Sequence, residues 1–311
     1  MAEAILFPGQ GAQFAGMGRE FCESYPVARS LFETAETAID FPLREAIWER
    51  GDEVHRTDVA QPGILVTSAA IISVLRERGL DTDRSPLTAG LSLGEYTALW
   101  SAGSLLFEDA VRLVRLRGQA MQEASEEVPS SMTSLLGADL ETAEKLANVG
   151  SRKGICAVAN LNAPGQVVLS GELAALDAAE AAAEEHGIRR AVRLDVAGGF
   201  HSECMRGAAL RLENALAGIE IRPPAVPFVN NVTGTLVSDP EAIRRSLAQQ
   251  VCAPVLWEKT QRFALSRGIE HYLEPGPGKV LAGLMRKTAR VVGQAAEVRG
   301  VQTPADMERL D

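Results

Sequence analysis

The run Ala4-Ile5-Leu6-Phe7 is wholly apolar and is cut off by Pro8-Gly9, a pattern that predicts a short buried strand. Amphipathic stretches then alternate with further runs of this kind. Pro62 to Arg78 reads as a helix and Leu87-Thr88-Ala89 as a strand. A helix follows from Gly94 and stops at Gly103, and another runs from about Glu108 to Glu126. Alternation of strand and helix is the pattern of an α/β protein with a parallel sheet.

Between Ser131 and Val196 the rhythm changes. Met132 to Leu136 reads as a strand, Leu140 to Val149 as a helix, and Ile155 to Asn160 and Gln166 to Ser170 as two strands joined by Asn162-Ala163-Pro164-Gly165. The alanine-rich stretch Glu172 to Glu185, ended by His186-Gly187, predicts a helix, and Ile188 to Val196 a strand. The order βαββαβ is that of a small ferredoxin-like unit. The parallel-sheet style resumes after Phe200 with "VPFVNNV" and "GIEHYLEPG". The expected organisation is therefore a large α/β domain built from residues 1–128 and 198–311, with an inserted subdomain at 129–197.

A chain of 311 residues, 46% of them hydrophobic, can bury a sizeable core. No tandem repeat or low-complexity linker interrupts it. The amino-terminal stretch shows neither a secretory signal nor a membrane anchor, so a cytoplasmic protein is expected. Cys22, Cys156, Cys204 and Cys252 have no metal-site spacing and are too sparse for a disulfide framework, which predicts reduced thiols and no metal. A formal net charge of -10 argues against a nucleic-acid partner. Local basic clusters remain, at Arg112, Arg115 and Arg117 and at Lys279, Arg286, Lys287 and Arg290; a solvated helix face is the simplest reading of each.

The candidate chemistry centres on Gly90-Leu91-Ser92-Leu93-Gly94, which fits the G-x-S-x-G nucleophile elbow and lies between a strand-like and a helix-like run, as that motif requires. A serine hydroxyl needs a base. Of the four histidines, His201 is the candidate, because "DVAGGF" before it places two glycines at the border of the inserted unit; His55, His186 and His271 read as structural. Three other motif readings fail. Phe14 occupies the third glycine position of a dinucleotide fingerprint begun at Gly9-Gln10-Gly11. Leu273 and Val280 break a phosphate loop at Gly276-Pro277-Gly278-Lys279, and His201-Ser202-Glu203 lacks the paired cysteines of a deaminase zinc site.

Arg117 is unusual in another way. It shares a helix face with Ala110, Leu113, Val114 and Met121. Its stem can pack while its head reaches solvent, a structural carboxylate can pair with it, or it can await an anionic ligand. Periodicity does not choose among these.

Eight stretches in order, from Phe7 to about Lys287, resemble the malonyl-CoA:acyl carrier protein transacylase family: "FPGQGAQFAGMG", "GLSLGEYTAL", "VRLRGQAMQEA", "NLNAPGQVVLSG", "GGFHSECM", "VPFVNNVTG", "QQVCAPVLW" and "EPGPGKVLAGLMRK". The resemblance implies an α/β-hydrolase-like core with a ferredoxin-like insertion. It implies that Ser92 accepts the acyl group, that His201 is its general base and acid, and that the N–H groups of Gln10 and Leu93 form the oxyanion hole. Arg117 would hold the malonyl carboxylate by a bidentate pair. Gln250, in the pattern Q-x-x-x-P-V-x-W, would orient His201 through its backbone carbonyl, and Asn160, Asn162 and Asn231 match pocket positions.

The chain departs from that family at two places, with Leu91 where histidine is usual and Gly199 where alanine is usual. Phe200 goes with malonyl rather than methylmalonyl in the family. The expected function is transfer of a malonyl group from malonyl-CoA to the pantetheine thiol of acyl carrier protein through a malonyl-serine, without a metal or redox cofactor, for fatty-acid or polyketide elongation. The expected partners are malonyl-CoA and an acidic carrier protein, docked on a basic patch that includes Lys279, Arg286 and Lys287, by a monomer. A serine thioesterase and an inactive carrier-binding module are the rival readings.

Overall fold

The computed structural model describes residues 3–309. The amino-terminal part comprises β1 (Ala4–Phe7), α1 (Arg19–Ser24), α2 (Pro26–Ile39), α3 (Leu43–Trp48), α4 (Thr57–Glu77), β2 (Thr88–Gly90), α5 (Gly94–Ser101) and α6 (Phe107–Glu127). Then come β3 (Ser130–Leu136), α7 (Leu140–Gly150), β4 (Cys156–Ala163), β5 (Gln166–Glu172), α8 (Leu173–Ala181) and β6 (Arg190–Arg193). The chain continues through α9 (Arg206–Leu216), β7 (Phe228–Val229), α10 (Pro240–Gln250), α11 (Trp257–Ser266), β8 (His271–Pro275), α12 (Val280–Val292), β9 (Glu297–Val301) and α13 (Pro304–Met307).

Two sheets result. One is five-stranded and parallel in the order β7-β2-β1-β8-β9; the other is four-stranded and antiparallel in the order β4-β5-β3-β6. The second order is that of a ferredoxin-like unit, with α7 and α8 covering one face over a core that includes Leu135, Leu146, Leu169 and Leu176. In the first sheet β1 and β2 are central and paired in register, Phe7 opposite Gly90. Both are buried at every position, which accounts for their unbroken apolar and small residues.

Some boundaries differ from expectation for identifiable reasons. The helix expected from Pro62 begins at Thr57 instead, with Pro62 inside it. A proline there leaves the carbonyl four residues earlier, on Asp58, without its helical donor. Arg115 supplies the replacement, bonding that carbonyl and, at 3.0 Å, the Asp58 carboxylate. The helix expected to Glu185 ends at Ala181 and passes into turns, and the strand expected over 188–196 pairs only at 190–193, against β3 at the sheet edge. The described helix Thr57–Glu77 is long and apolar enough to cross a membrane, but it is buried inside the fold nearly throughout, as a core helix is.

Candidate active site

Parallel strands side by side place the loops at their carboxyl ends side by side, so the turn after β1 and the turn after β2 meet. The second of these turns is sharp. A Cβ on Gly90 would lie 1.9 Å from the Gly94 carbonyl carbon, and one on Gly94 would lie 2.4 Å from the Phe7 oxygen. Only glycine fits at both. Ser92 between them has φ 53°, a left-handed conformation worth roughly 1–3 kcal/mol of strain in a non-glycine residue.

Side-chain contacts hold the strained residue in place. Asn231 accepts the Ser92 N–H at 2.6 Å and donates to the Gly90 carbonyl at 2.8 Å, while the Gln250 amide donates to the Ser92 carbonyl at 3.0 Å. Among the described residues, the N–H groups of Gln10 and Leu93 donate to no protein acceptor. Buried N–H groups are ordinarily paired, so two free donors, one on each of these adjoining turns, suit an oxygen that arrives with a ligand.

His201 reaches the serine from the segment after β6. Its Nε2 is 2.9 Å from Ser92 Oγ and its Nδ1 is 2.7 Å from the Gln250 carbonyl oxygen. A carbonyl can only accept, so Nδ1 carries the hydrogen and Nε2 presents its lone pair to the hydroxyl. Burial, with a smaller contribution from the Arg117 charge, lowers the His201 pKa to about 4 against the opposing Gln250 hydrogen bond, which leaves the imidazole neutral near pH 7. His201 itself has φ 59°. Gly199 before it packs on the inserted sheet, where a Cβ would come within 3.0 Å of Ser130 Cβ and 3.2 Å of Ser170 Oγ. A side chain at that position would crowd this contact.

Arg117, on α6, is 1% exposed, so its head does not reach solvent. Nor does a carboxylate pair with it: among the described residues it forms no ion pair. Its partners are neutral, with Nη1 on Gln61 Oε1 at 2.7 Å and Nη2 on Ser92 Oγ and Gln250 Oε1, both at 3.0 Å. Its Nε has no partner at all. Burial is the main influence on this guanidinium and lowers its pKa. A buried cation held by neutral groups, with a donor unused and its fork on a hydroxyl, has the chemistry to take an anion.

The Ser92 side of this cluster opens on a cavity of about 550 Å³, with Arg117 set behind the serine hydroxyl rather than in the lining. Gln10, Ser92 and His201 line it, and so do Leu91, Met132, Asn160, Asn162, Val168, Leu194, Phe200, Val280 and Leu284. Leu91 thus contributes an apolar wall beside the nucleophile. Asn162 Oδ1 is buried without a partner, an acceptor available to a ligand. Asn231 is different: it is 0% exposed, lies beneath the elbow and does not line the cavity, because its polar atoms are taken up by Ser92, Gly90 and Glu95. No group of three or more His, Cys, Asp or Glu converges as a metal site among the described residues.

Comparison with known proteins agrees with this geometry. The acyl transferase domain family model matches residues 5–303. The malonyl CoA-acyl carrier protein transacylase of Bacillus subtilis is 40% identical over 289 residues, 92% of this chain and 90% of that protein. The chain belongs to the malonyl CoA-acyl carrier protein transacylase family. It is an acyltransferase. The acyl-carrier-protein-S-malonyltransferase structure from Bartonella henselae superposes with a TM-score of 0.93 at 37% identity, covering 100% of this chain and 98% of the other. A malonyl-transacylase solved in complex with a type II PKS acyl-carrier protein gives 0.91 at 36% identity, covering 99% and 98%.

Within this acyltransferase the sequence motifs missed two residues of the site. Gln61, which holds Arg117, stands one position before the expected helix start at Pro62. Glu95 is fully buried under the elbow and accepts from the Asn231 N–H and the Gln250 side chain. Its signal was available: an acidic residue in the first turn of α5 shares a face with Ala98 and Leu99, which buries it.

Proposed function

We propose that the protein transfers a malonyl group from malonyl-CoA to the pantetheine thiol of acyl carrier protein, with Ser92 as the nucleophile. The observation that carries this reading is the buried, unpaired guanidinium of Arg117 at 3.0 Å from the Ser92 hydroxyl that His201 also touches. A hydrolase of unsubstituted acyl groups has no use for such a cation. The malonyl carboxylate takes over the Arg117 fork, which relieves Ser92 Oγ of one hydrogen bond and leaves a lone pair free for attack.

His201 Nε2 accepts the hydroxyl proton as Oγ bonds to the thioester carbon, and the negative charge on the carbonyl oxygen falls to the N–H groups of Gln10 and Leu93. Collapse breaks the carbon–sulfur bond, and the imidazolium returns its proton to the departing thiolate of coenzyme A. The pantetheine thiol then gives its proton to His201, attacks the ester and displaces Ser92, which is reprotonated. Gln250 holds the imidazole through its carbonyl where other triads use a carboxylate. Phe200 and the apolar wall, with Asn160 and Asn162, bound the acyl and pantetheine groups.

The carrier protein docks beside α12. Val280 and Leu284 line the cavity, while Lys279, Arg286 and Lys287 border them without an ion pair among the described residues. The relative solved with a carrier protein supports a partner of that kind. We further read residues 129–197 as one inserted unit, and the enzyme as a cytoplasmic monomer feeding fatty-acid or polyketide elongation. Intact-mass measurement after incubation with malonyl-CoA tests the reaction. A malonyl adduct on Ser92 that moves to added carrier protein is expected; release of free malonate without transfer, or no adduct, would reject it.

A further inference from the structure

Arg117 and Glu95 are buried ionisable groups that do not touch, yet one side chain joins them. Gln250 Oε1 accepts from Arg117 Nη2 at 3.0 Å, and Gln250 Nε2 donates to Glu95 Oε2. The other Glu95 oxygen accepts the Asn231 N–H at 2.5 Å. A guanidinium can only donate, so the relay fixes which end of the Gln250 amide faces which group. The backbone of the same residue holds His201. Arg117 has no nearer counter-charge among the described residues, because its other partners, Gln61 and Ser92, are neutral.

We propose that Glu95 is a positioning residue for Arg117: acting through the Gln250 amide, its carboxyl group sets how strongly the guanidinium takes the carboxylate of an incoming acyl group. This rests on the malonyl-transfer reading above. Burial, the largest influence, pushes the Glu95 pKa up to about 8, opposed by the Asn231 and Gln250 donors and by Arg117. Below that pH the carboxyl is neutral and the charge on Arg117 is free for substrate. Above it, an ionised Glu95 offsets that charge and competes with the malonyl carboxylate. Of the groups facing Glu95, Arg117 on α6 is the charged one, and Tyr96 on α5 is titratable but pushed up in pKa by burial. His201 is neutral across the relevant range, and Asn231 and Gln250 carry no charge.

The test is single-turnover loading of Ser92 by malonyl-CoA and by acetyl-CoA between pH 7 and 9, in the wild type and in Glu95→Gln. The half-saturating malonyl-CoA concentration should rise about tenfold with pH in the wild type and stay flat in the variant. Acetyl-CoA loading should show no such rise in either. Linkage adds a readout that needs no variant: carbon-13 NMR titration of the glutamate carboxyls should show one raised pKa that climbs further once malonyl occupies Ser92 and does not respond to acetylation. The same pH dependence in wild type and variant, or a Glu95 carboxyl indifferent to malonyl, overturns the proposal. Failure to form any Ser92 adduct would instead reject the transfer reading on which it stands.

Discussion

The parallel and antiparallel sheets approach one cavity in different ways. The parallel sheet contributes strand ends: Gln10 follows β1, Ser92 follows β2, and the helices packed on them bring Arg117, Gln61 and Glu95. The antiparallel sheet contributes strand faces, with Met132 on β3, Asn160 and Asn162 on β4 and Val168 on β5. Strand ends can converge several donors on one atom, whereas a strand face repeats at fixed spacing and makes a wall. Under the proposed mechanism bond-making therefore belongs to the first sheet, and selection by size and by pantetheine contact to the second. Gly199 is one link between them, since its close fit on Ser130 ties the His201 loop to the antiparallel wall.

This division ranks the expected effects. Ser92→Ala should lower steady-state transfer by about 10⁴-fold or more, since among the described residues no other Ser, Thr or Cys lines the cavity. Turnover within tenfold of wild type would shift the chemistry away from the elbow. His201→Ala should cost about 10³-fold, within the usual range for a general base. In the wild type, kcat should hold steady from neutral pH down to about 5 and fall through His201's pKa of about 4, because a protonated imidazole cannot accept the Ser92 proton. A kcat limb near pH 6.5 would indicate a solvated histidine instead.

A change on the wall should act on choice of substrate more than on rate. Phe200→Ala should narrow the preference for malonyl over methylmalonyl by about tenfold, the range that one methyl group commands, with kcat for malonyl reduced less. Competition between the two donors, read by adduct mass, measures it. The smallest effect is expected outside the cavity. Lys287→Glu should raise KM for carrier protein a few-fold at low salt and leave KM for malonyl-CoA alone, an effect that fades as salt screens it. Equal changes in both would remove Lys287 from the docking surface.

How much of this was legible in the sequence follows the same line. The elbow is readable within five residues, because Gly90 answers to the backbone of Gly94 in the same turn and Gly94 to the adjacent Phe7 carbonyl. The ferredoxin-like order was readable from the alternation of apolar runs, and the sheet order bears it out. Helical spacing put Arg117 on an apolar face, but neither the burial of its head nor its lack of a counter-charge followed, since both depend on which side chains arrive from α4 and α10. Glu95 and Gln250 are 155 positions apart, and no short-range pattern links them. Asn231 matched a motif whose residue type suits a pocket, yet its backbone neighbours draw it under the elbow. The Pro62 boundary was misplaced because the compensation for its missing N–H comes from Arg115 on another helix.

The central claim is that a buried guanidinium without a counter-charge chooses the acyl group. Its most direct measurement is the ratio of malonyl to acetyl loading on Ser92, taken by intact mass at matched donor concentrations for the wild type and Arg117→Ala. The ratio should collapse by about 10²-fold or more, with acetyl loading retained, in line with the loss of a charge-assisted pair. A variant that still prefers malonyl as strongly as the wild type would contradict the claim.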